Sequence, residues 1–240
     1  MARWLLSLIL IFAALASGTE SLANTKTETV LSDPAVNTVT SVGVQPSVED
    51  GPYAFFSDSE QQLQIKWLCE TGVVEKTQPI TEAIAPVCAY PREITLHHNQ
   101  TLEPLLRYQT DTVAVISDIH GQYDLMKKLL SAHAVVNADA NWSFGQGHLV
   151  VIGDVMDRGD KVTEILWWLY QLEQQAEAAG GKVHLLLGNH ETMVLYNDLR
   201  YINKKYQLVA EKFGVGYSSL FSENSVLGQW LRNKPVLAQI

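Results

Sequence analysis

Three short apolar runs mark the second half of the chain. They cover residues 113–116, 149–152 and 183–187 and consist mainly of Val, Ile and Leu. Runs of this length and composition are typical of strands buried in a parallel sheet. A polar, glycine-containing segment follows each run directly. The pattern predicts three parallel strands whose carboxyl ends carry polar residues.

Apolar positions between and after these runs recur at helical spacing. Val162, Ile165 and Leu169 fall on one face of a predicted helix that ends before Gly180. Helices that alternate with strands indicate an α/β domain, which we place at residues 111–240. The predicted helices span residues 123–133, 162–179, 201–213 and 225–232.

The first half of the chain follows a different pattern. Leu63, Ile65 and Trp67 alternate with polar residues, which predicts a β-hairpin within a small β-rich module at residues 51–110. Residues 17–50 are rich in Thr, Ser, Val and Asn and contain no aromatic residue. We expect them to form an extended spacer.

The first 16 residues have the features of a secretory signal peptide. Arg3 precedes an apolar core at residues 5–15, and Ala14 and Ala16 offer a small-residue cleavage site. The apolar core is shorter than the roughly 20 residues of a membrane span. We therefore predict a periplasmic or secreted protein without stable membrane insertion after cleavage.

The amino-acid composition indicates a globular protein and excludes several other classes. The chain has 240 residues, of which 47% are hydrophobic and 18% charged, as in a globular domain with a small accessory module. Its net charge of −9 argues against binding to nucleic acid or to an anionic membrane. In an exported protein, Cys69 and Cys88 suggest a disulfide, and two separate buried thiols are the alternative. Neither cysteine has an arginine six residues later, which excludes a cysteine-nucleophile phosphatase.

The polar segments after the three runs contain the candidate chemistry. We call them the first cluster (residues 117–121, Ser-Asp-Ile-His-Gly), the second cluster (residues 153–159, Gly-Asp-Val-Met-Asp-Arg-Gly) and the third cluster (residues 188–191, Gly-Asn-His-Glu). Successive clusters are about 35 residues apart, which leaves room for one strand–helix–strand crossover. Ligands of open α/β sheets bind at the carboxyl edge of the strands. We therefore expect the three clusters to form one site.

The side chains of the clusters are suited to hard metal ions. Asp118 and His120 can hold one cation, Asp154 can bridge two, and Asn189 offers a neutral oxygen to the second. Two cations about 3.5–4 Å apart polarise phosphoryl oxygens and generate hydroxide near neutral pH. This hydroxide would attack the phosphate in line. We predict two divalent ions, for which Mn, Fe, Zn and Mg all suit nitrogen and oxygen ligands.

Three further side chains fit phosphoryl chemistry. Arg158 can make bidentate contacts with a phosphoryl group. His190 is placed to protonate a leaving oxygen as a general acid. Asp157 can accept a hydrogen bond from His190 and orient its ring. The hypothesis is a phosphoester hydrolase without a covalent phospho-enzyme.

These residues resemble the calcineurin-like metallophosphoesterases. Within them, the phosphoprotein phosphatase branch has the pattern Asp-x-His-Gly, Gly-Asp-x-x-Asp-Arg-Gly and Gly-Asn-His-Glu, which the three clusters match. Residues 141–145, 167–172 and 198–201 extend the similarity to the Shewanella-like bacterial phosphatases, including the exported, cold-active protein-tyrosine phosphatase type. The resemblance covers residues 110–240 well and residues 51–110 loosely.

The resemblance implies a fold, a site and a substrate class. The fold would be α/β (α+β), a metallophosphoesterase β-sandwich flanked by helices, with only its first half present. The substrate would be a phosphorylated protein, phosphotyrosine included, or a small phosphoester. By similarity, the metal ligands are Asp118, His120, Asp154 and Asn189, the acid pair is Asp157 and His190, and substrate is bound by Arg158, Asn189 and Arg200.

One departure from the family pattern concerns the second metal ion. The family completes its metal pair with two histidines downstream of the third cluster, in a His-Gly and a Gly-His motif, and no histidine follows His190 here. We therefore expect a truncated version of a longer phosphatase, with a natural short form as the alternative. The competing functions are a hydrolase of dinucleoside polyphosphates or other small phosphoesters, and a non-catalytic phosphate-binding protein.

Several conspicuous side chains outside the clusters have structural interpretations. Trp167 and Trp168 are expected on a packed amphipathic helix, with one ring inward and the other partly exposed. His184 lies within an apolar run and is predicted to be a core or edge residue. The remaining histidines, predicted at the surface, in loops or at a helix end, are His97, His98, His133 and His148.

Overall fold

Seven strands and five α-helices make up the described part of the chain, which comprises residues 7–11, 48–57, 61–96 and 107–240 of a computed structural model. The strands are β1 (Ser7–Ile11), β2 (Asp50–Phe56), β3 (Gln62–Cys69), β4 (Gly72–Pro79), β5 (Thr112–Ile116), β6 (His148–Ile152) and β7 (Lys182–Leu186). The helices are α1 (Tyr123–Ala132), α2 (Val162–Ala178), α3 (Asn189–Leu195), α4 (Lys204–Phe213) and α5 (Val226–Arg232), and a 3₁₀ helix spans Tyr217–Phe221.

The main sheet is parallel and positions the three clusters. Its strand order is β1-β5-β6-β7, so the three predicted strands lie side by side. Ile116 pairs with Val151, and Ile152 pairs with Leu186, which brings the carboxyl ends of the strands to one edge. The predicted α/β fold class is confirmed, and the polar clusters leave the sheet together.

Helix α2 packs between the two sheets of the protein. It contacts β7 of the main sheet and β2 of the smaller sheet. Because both sides are covered, Trp167 and Trp168 are each 0% exposed. The expectation that one ring is partly exposed was wrong, since the indole N–H groups donate inward to the carbonyls of Pro52 and Ala140, both at 2.8 Å.

The small sheet is antiparallel, with strand order β2-β3-β4. The predicted hairpin is confirmed as β3 and β4, and Leu63, Ile65 and Trp67 are at most 1% exposed. Their side chains belong to the same continuous core as those of the main sheet. Asp50, which ends the predicted spacer, is the first residue of β2 and is completely buried.

The helix predicted at residues 201–213 starts later in the structure. Helix α4 begins at Lys204 because the Asn203 side chain caps it, accepting a hydrogen bond from the Lys205 backbone N–H at 2.9 Å. The carbonyl of Tyr201 accepts the backbone N–H of Arg158 instead of starting a helix. Helix α3 and the 3₁₀ helix were not predicted.

His148 is not the surface or loop histidine that we predicted. It is the first residue of β6 and is 8% exposed. In the parallel register, Val150 pairs with His184, so His148 and His184 lie two positions apart on the same face of neighbouring strands. Their rings are joined by a hydrogen bond of 2.9 Å between His184 Nε2 and His148 Nδ1. His184 is a buried residue, as predicted.

Several predictions fall on residues outside the described part of the chain. Of the predicted signal peptide, the structure describes only the backbone of Ser7–Ile11, which pairs in parallel with β5. Most of the predicted spacer and both His97 and His98 lie outside the described residues. Among the residues that are described, none of the helices combines the length and apolar character of a membrane span.

Candidate metal centre

Pairs of glycines allow the three clusters to approach one another. A Cβ atom on Gly159 would lie 2.2 Å from the His120 carbonyl oxygen, and one on Gly121 would lie 2.8 Å from Gly159. A Cβ atom on Gly153 would lie 2.3 Å from the Gly188 backbone nitrogen. The first cluster therefore crosses the second at one glycine pair, and the second crosses the third at the other.

The tautomer of His120 leaves one ring nitrogen available to a cation. Its ring is buried, and its Nδ1 atom lies 2.8 Å from the carbonyl oxygen of Met156. A carbonyl oxygen can only accept, so Nδ1 carries the proton and Nε2 of the neutral ring keeps a free lone pair. The Nε2 atom is buried without a hydrogen-bond partner and lies 4.0 Å from Asp118 Oδ1. This orphaned acceptor fits a metal ion held between the two side chains.

Asp154 joins the first cluster to the third. Its Oδ1 atom accepts the backbone N–H of His190 at 3.2 Å. Ligand atoms of His120, Asp154 and His190 all lie within 4.8 Å of one another, so the structure brings them into one coordination-sized group. Sequence analysis had assigned His190 only as an acid. The geometry also places it within reach of the two candidate metal ligands His120 and Asp154.

The backbone of the centre is held in unfavourable conformations. Five site residues that are not glycine have positive φ angles: Asp118 (54°), His120 (44°), Asp154 (54°), Asp157 (69°) and Arg158 (63°). Each such angle costs about 1–2 kcal/mol for a residue with a Cβ atom. Strain of this kind persists where the surrounding structure imposes it, and it clusters at functional sites.

Asp157, His190 and Arg158 form a continuous polar chain. His190 Nδ1 lies 2.7 Å from Asp157 Oδ2, and His190 Nε2 lies 3.5 Å from Arg158 Nη2. Burial raises the pKa of Asp157, and the hydrogen bond from His190 opposes this rise. Because Asp157 holds Nδ1, the Nε2 atom of His190 faces the exposed Arg158 guanidinium, where a phosphoryl group would be bound.

Residues 112–237, more than half of the chain, match the family model of calcineurin-like phosphoesterases. The chain belongs to this family. The family predicted from the three clusters is therefore confirmed.

Curated proteins with sequence similarity to this chain include two Shewanella-like protein phosphatases. Shewanella-like protein phosphatase 2 of Arabidopsis thaliana is 33% identical over 44% of this chain and 28% of its own length. Shewanella-like protein phosphatase 1 of Plasmodium berghei is 33% identical over 39% of this chain and 26% of its own length.

The fold also resembles solved structures of a cold-active protein-tyrosine phosphatase. The cold-active protein-tyrosine phosphatase of a psychrophile Shewanella species superimposes with a TM-score of 0.67 and 38% identity, over 78% of this chain and 56% of that one. Another structure of a cold-active protein-tyrosine phosphatase gives a TM-score of 0.68 and 39% identity, over 78% of this chain and 55% of that one. The chain thus spans about half the length of the solved phosphatase and less than a third of the curated relatives.

Of the other predicted site residues, Asn189 and Arg200 lie beside this centre, whereas the predicted cysteine pair lies at the small sheet. Asn189 is exposed at the first position of α3, directly before His190. Arg200 is exposed, and its guanidinium is held by Asp198 at 2.7 Å and lies over the Tyr201 ring. The predicted pair Cys69 and Cys88 forms a disulfide.

Two residues of the candidate metal centre were not predicted from the sequence. Glu191 is completely buried and binds the backbone of the second cluster, although only its place in the third cluster was noted. Tyr201 lies edge-on to His190, with ring centroids 5.3 Å apart. A buried acid directly after a predicted functional histidine was the available signal for Glu191, whereas nothing in the sequence indicated the position of Tyr201.

Proposed function

We propose that this chain is a phosphomonoesterase that depends on two divalent metal ions and acts on phosphoproteins, phosphotyrosine included. Membership of the calcineurin-like phosphoesterase family supports the reaction class. The observation that carries the proposal is the orphaned His120 Nε2 atom, fixed by Met156 and facing Asp118. Tyrosine specificity is proposed from the likeness to the cold-active protein-tyrosine phosphatase.

The donor atoms of the clusters suit divalent cations. Asp118, His120, Asp154 and Asn189 would hold them with nitrogen and oxygen atoms, a set compatible with manganese, iron, zinc or magnesium. When bound, the ions polarise the phosphoryl oxygens and activate water.

The remaining side chains position substrate and move a proton. Arg158 would bind two phosphoryl oxygens through its planar guanidinium. His190 would transfer a proton from Nε2 to the leaving oxygen, while Asp157 keeps Nδ1–H in place and stabilises the charged ring. Tyr201, whose ring lies 5.3 Å from that of His190, and Arg200, which lies over the Tyr201 ring, are both exposed and would be available to contact a protein substrate.

The proposed location is the periplasm or the cell exterior. Support comes from the Cys69–Cys88 disulfide, because such bonds persist in oxidising compartments. The predicted signal peptide agrees with this location.

Activity assays on the purified chain with added manganese test the proposal. Substrates are p-nitrophenyl phosphate, a phosphotyrosine peptide and diadenosine tetraphosphate, each with and without a chelator. Chelator-sensitive turnover of both monoesters, with little turnover of the dinucleotide, would support the proposal. Preference for the dinucleotide would favour the small-molecule hydrolase, and phosphate binding without turnover would favour the non-catalytic protein.

A leaving-group comparison tests the role of His190. The His190→Ala variant should lose about 100-fold or more in kcat on the phosphotyrosine peptide, and less on p-nitrophenyl phosphate, whose stable leaving group needs less protonation. His133→Ala is the matched control because His133 is exposed at the end of α1. Equal losses on the two substrates would contradict the assignment as general acid.

A further inference from the structure

A short strap, residues 201–205, runs beside the segment that carries the phosphate-binding arginine. The carbonyl of Tyr201 accepts the Arg158 backbone N–H at 2.9 Å, and the Asn203 side-chain amide donates to the Arg158 carbonyl at 2.8 Å. Both polar groups of the Arg158 backbone are thus bound by the strap. Since Arg158 has a φ angle of 63°, its backbone needs such external support.

The strap ends at Lys205, whose ammonium group binds three oxygens. Lys205 Nζ lies 2.6 Å from the Asp160 carbonyl, 2.9 Å from Asp50 Oδ1 and 3.5 Å from Glu164 Oε1. The contacts with the Asp160 carbonyl and with Glu164 are hydrogen bonds, and the contact with Asp50 is an ion pair. The side chain is 13% exposed, which limits screening by water. Lys205 therefore links the segment after Arg158 to Asp50, a residue of the small sheet.

Asp50 is held firmly within the small sheet. It is completely buried, its Oδ2 atom accepts the hydroxyl of Thr163 at 3.1 Å, and the hydroxyl of Tyr53 also donates to it. Thr163 belongs to the first turn of α2. The carboxylate therefore offers Lys205 a fixed counter-charge at the junction of β2, α2 and the strap.

Charge favours Asp50 over Glu164 as the partner of Lys205. Burial raises the pKa of Glu164 to about 7, and the neighbouring Asp50 charge adds to the rise, whereas Lys205 opposes it. Burial acts to lower the pKa of Lys205, but the charges of Asp50 and Glu164 outweigh this effect, so the pKa of Lys205 is raised. Lys205 stays positively charged near neutral pH, and Asp50 is its closer carboxylate.

We propose that Asp50 and Lys205 are positioning residues that hold Arg158 in place for phosphate, so that the small sheet sets the affinity of the metal centre for its substrate. The inference rests on the proposed function, because it assumes that Arg158 binds phosphate. Neither residue belongs to the three clusters, so we expect manganese affinity to change little when the pair is replaced.

Calorimetric titration of the manganese-loaded chain with inorganic phosphate tests the proposal. Asp50→Asn and Lys205→Met should each weaken phosphate binding roughly tenfold and leave manganese affinity within about twofold. Lys205→Arg, which keeps the charge, should restore most of the phosphate affinity. Glu75→Gln is the matched control, because it removes one carboxylate from the exposed Lys66–Glu75 pair of the same sheet. Where turnover is measurable, KM should rise more than kcat falls.

The outcomes separate this proposal from the proposed function. Phosphate binding that disappears in Arg158→Ala but persists unchanged in Asp50→Asn and Lys205→Met would overturn the positioning role alone. Equal losses of manganese and phosphate affinity in these two variants would show a general structural role and would also overturn the positioning role. Absence of phosphate binding by the unsubstituted chain would overturn both proposals. If Asp50→Asn does not fold, the phosphate affinities of Lys205→Met and Lys205→Arg test the positioning role by themselves.

Discussion

The buried carboxylate of Glu191 accepts the backbone N–H of Asp154 at 2.8 Å. The same oxygen accepts the N–H of Gly188 at 2.8 Å, and the other carboxylate oxygen accepts those of Val155 and Met156 at 2.8 and 3.0 Å. Four donors on one buried carboxylate join the second cluster to the third. The shape of the candidate metal centre therefore depends on a residue that is not one of the predicted metal ligands.

Replacement of Glu191 by Gln should damage both stability and metal binding. The amide NH₂ group of Gln would face backbone N–H groups and leave two of them without an acceptor. We expect the free energy of unfolding to fall by about 2–4 kcal/mol and manganese affinity to fall by about 10–100-fold. Denaturant unfolding and manganese titration measure the two effects. Glu223→Gln, at an exposed position, is the control, and similar results for both variants would contradict the role of Glu191 in joining the two clusters.

The convergence of the three clusters could be predicted from the sequence because its physical signal is local. Apolar runs end where polar residues begin, and parallel strands bring these ends to one edge. Asp118, His120 and Asp154 could therefore be placed at one site before the structure was known. Helix α2 was predicted for the same reason, because the spacing of its apolar residues is visible within a single segment.

Contacts that depend on distant backbone could not be predicted. Glu191 binds N–H groups whose direction follows from the turn of the second cluster, and the start of α4 depends on the bond between Arg158 and Tyr201. The pairing of His148 with His184 requires the register of two strands, which local alternation does not define.

A methyl group on Gly188 should separate the second and third clusters. The Cβ atom would lie 2.2 Å from Asp154 Oδ1 and 2.7 Å from the Asp154 backbone nitrogen, so the side chain alone cannot relieve the clash. We expect Gly188→Ala to lower the free energy of unfolding by about 1–3 kcal/mol and to weaken manganese binding at least about tenfold.

Gly216→Ala provides a close control for this change. Both glycines precede a helix with negative φ angles of −86° and −74°. The nearest atom to a Cβ on Gly216 is Ser219 Oγ at 3.7 Å, an ordinary contact. The free energy of unfolding of the Gly216→Ala variant should change by less than about 0.5 kcal/mol. Unaltered manganese binding in Gly188→Ala would show that the clusters tolerate a wider separation.

Loss of the Cys69–Cys88 disulfide should destabilise the small sheet. The bond closes a loop with a sequence separation of 19 and restricts the unfolded chain. A Cys69→Ser, Cys88→Ser double variant should lose about 3 kcal/mol of stability. Urea unfolding of the double variant and of the reduced parent should give matching midpoints. A parent whose midpoint is the same before and after reduction would contradict this contribution.

Stability should fall at acidic pH through the buried pair of His184 and His148. Burial, the His148 ring and the Lys182 and Lys234 charges lower the pKa of His184 to about 3, whereas the unfolded chain takes up the proton near pH 6.5. The unfolded state therefore binds more protons than the folded state between these values. Stability from neutral His184 is complete above about pH 6.5 and is lost as the pH falls towards 3, with a slope of up to about 1.4 kcal/mol per pH unit.

Unfolding experiments between pH 7 and pH 5 measure this effect. Over that range the His184→Asn variant should lose about 1–2 kcal/mol less stability than the parent, because Asn takes up no proton in either state. His133→Asn removes an exposed histidine and should keep the slope of the parent. Carboxylates contribute equally to all three proteins, so the difference in slope isolates the buried ring. Identical slopes for the parent and His184→Asn would mean that the ring is protonated in the folded protein.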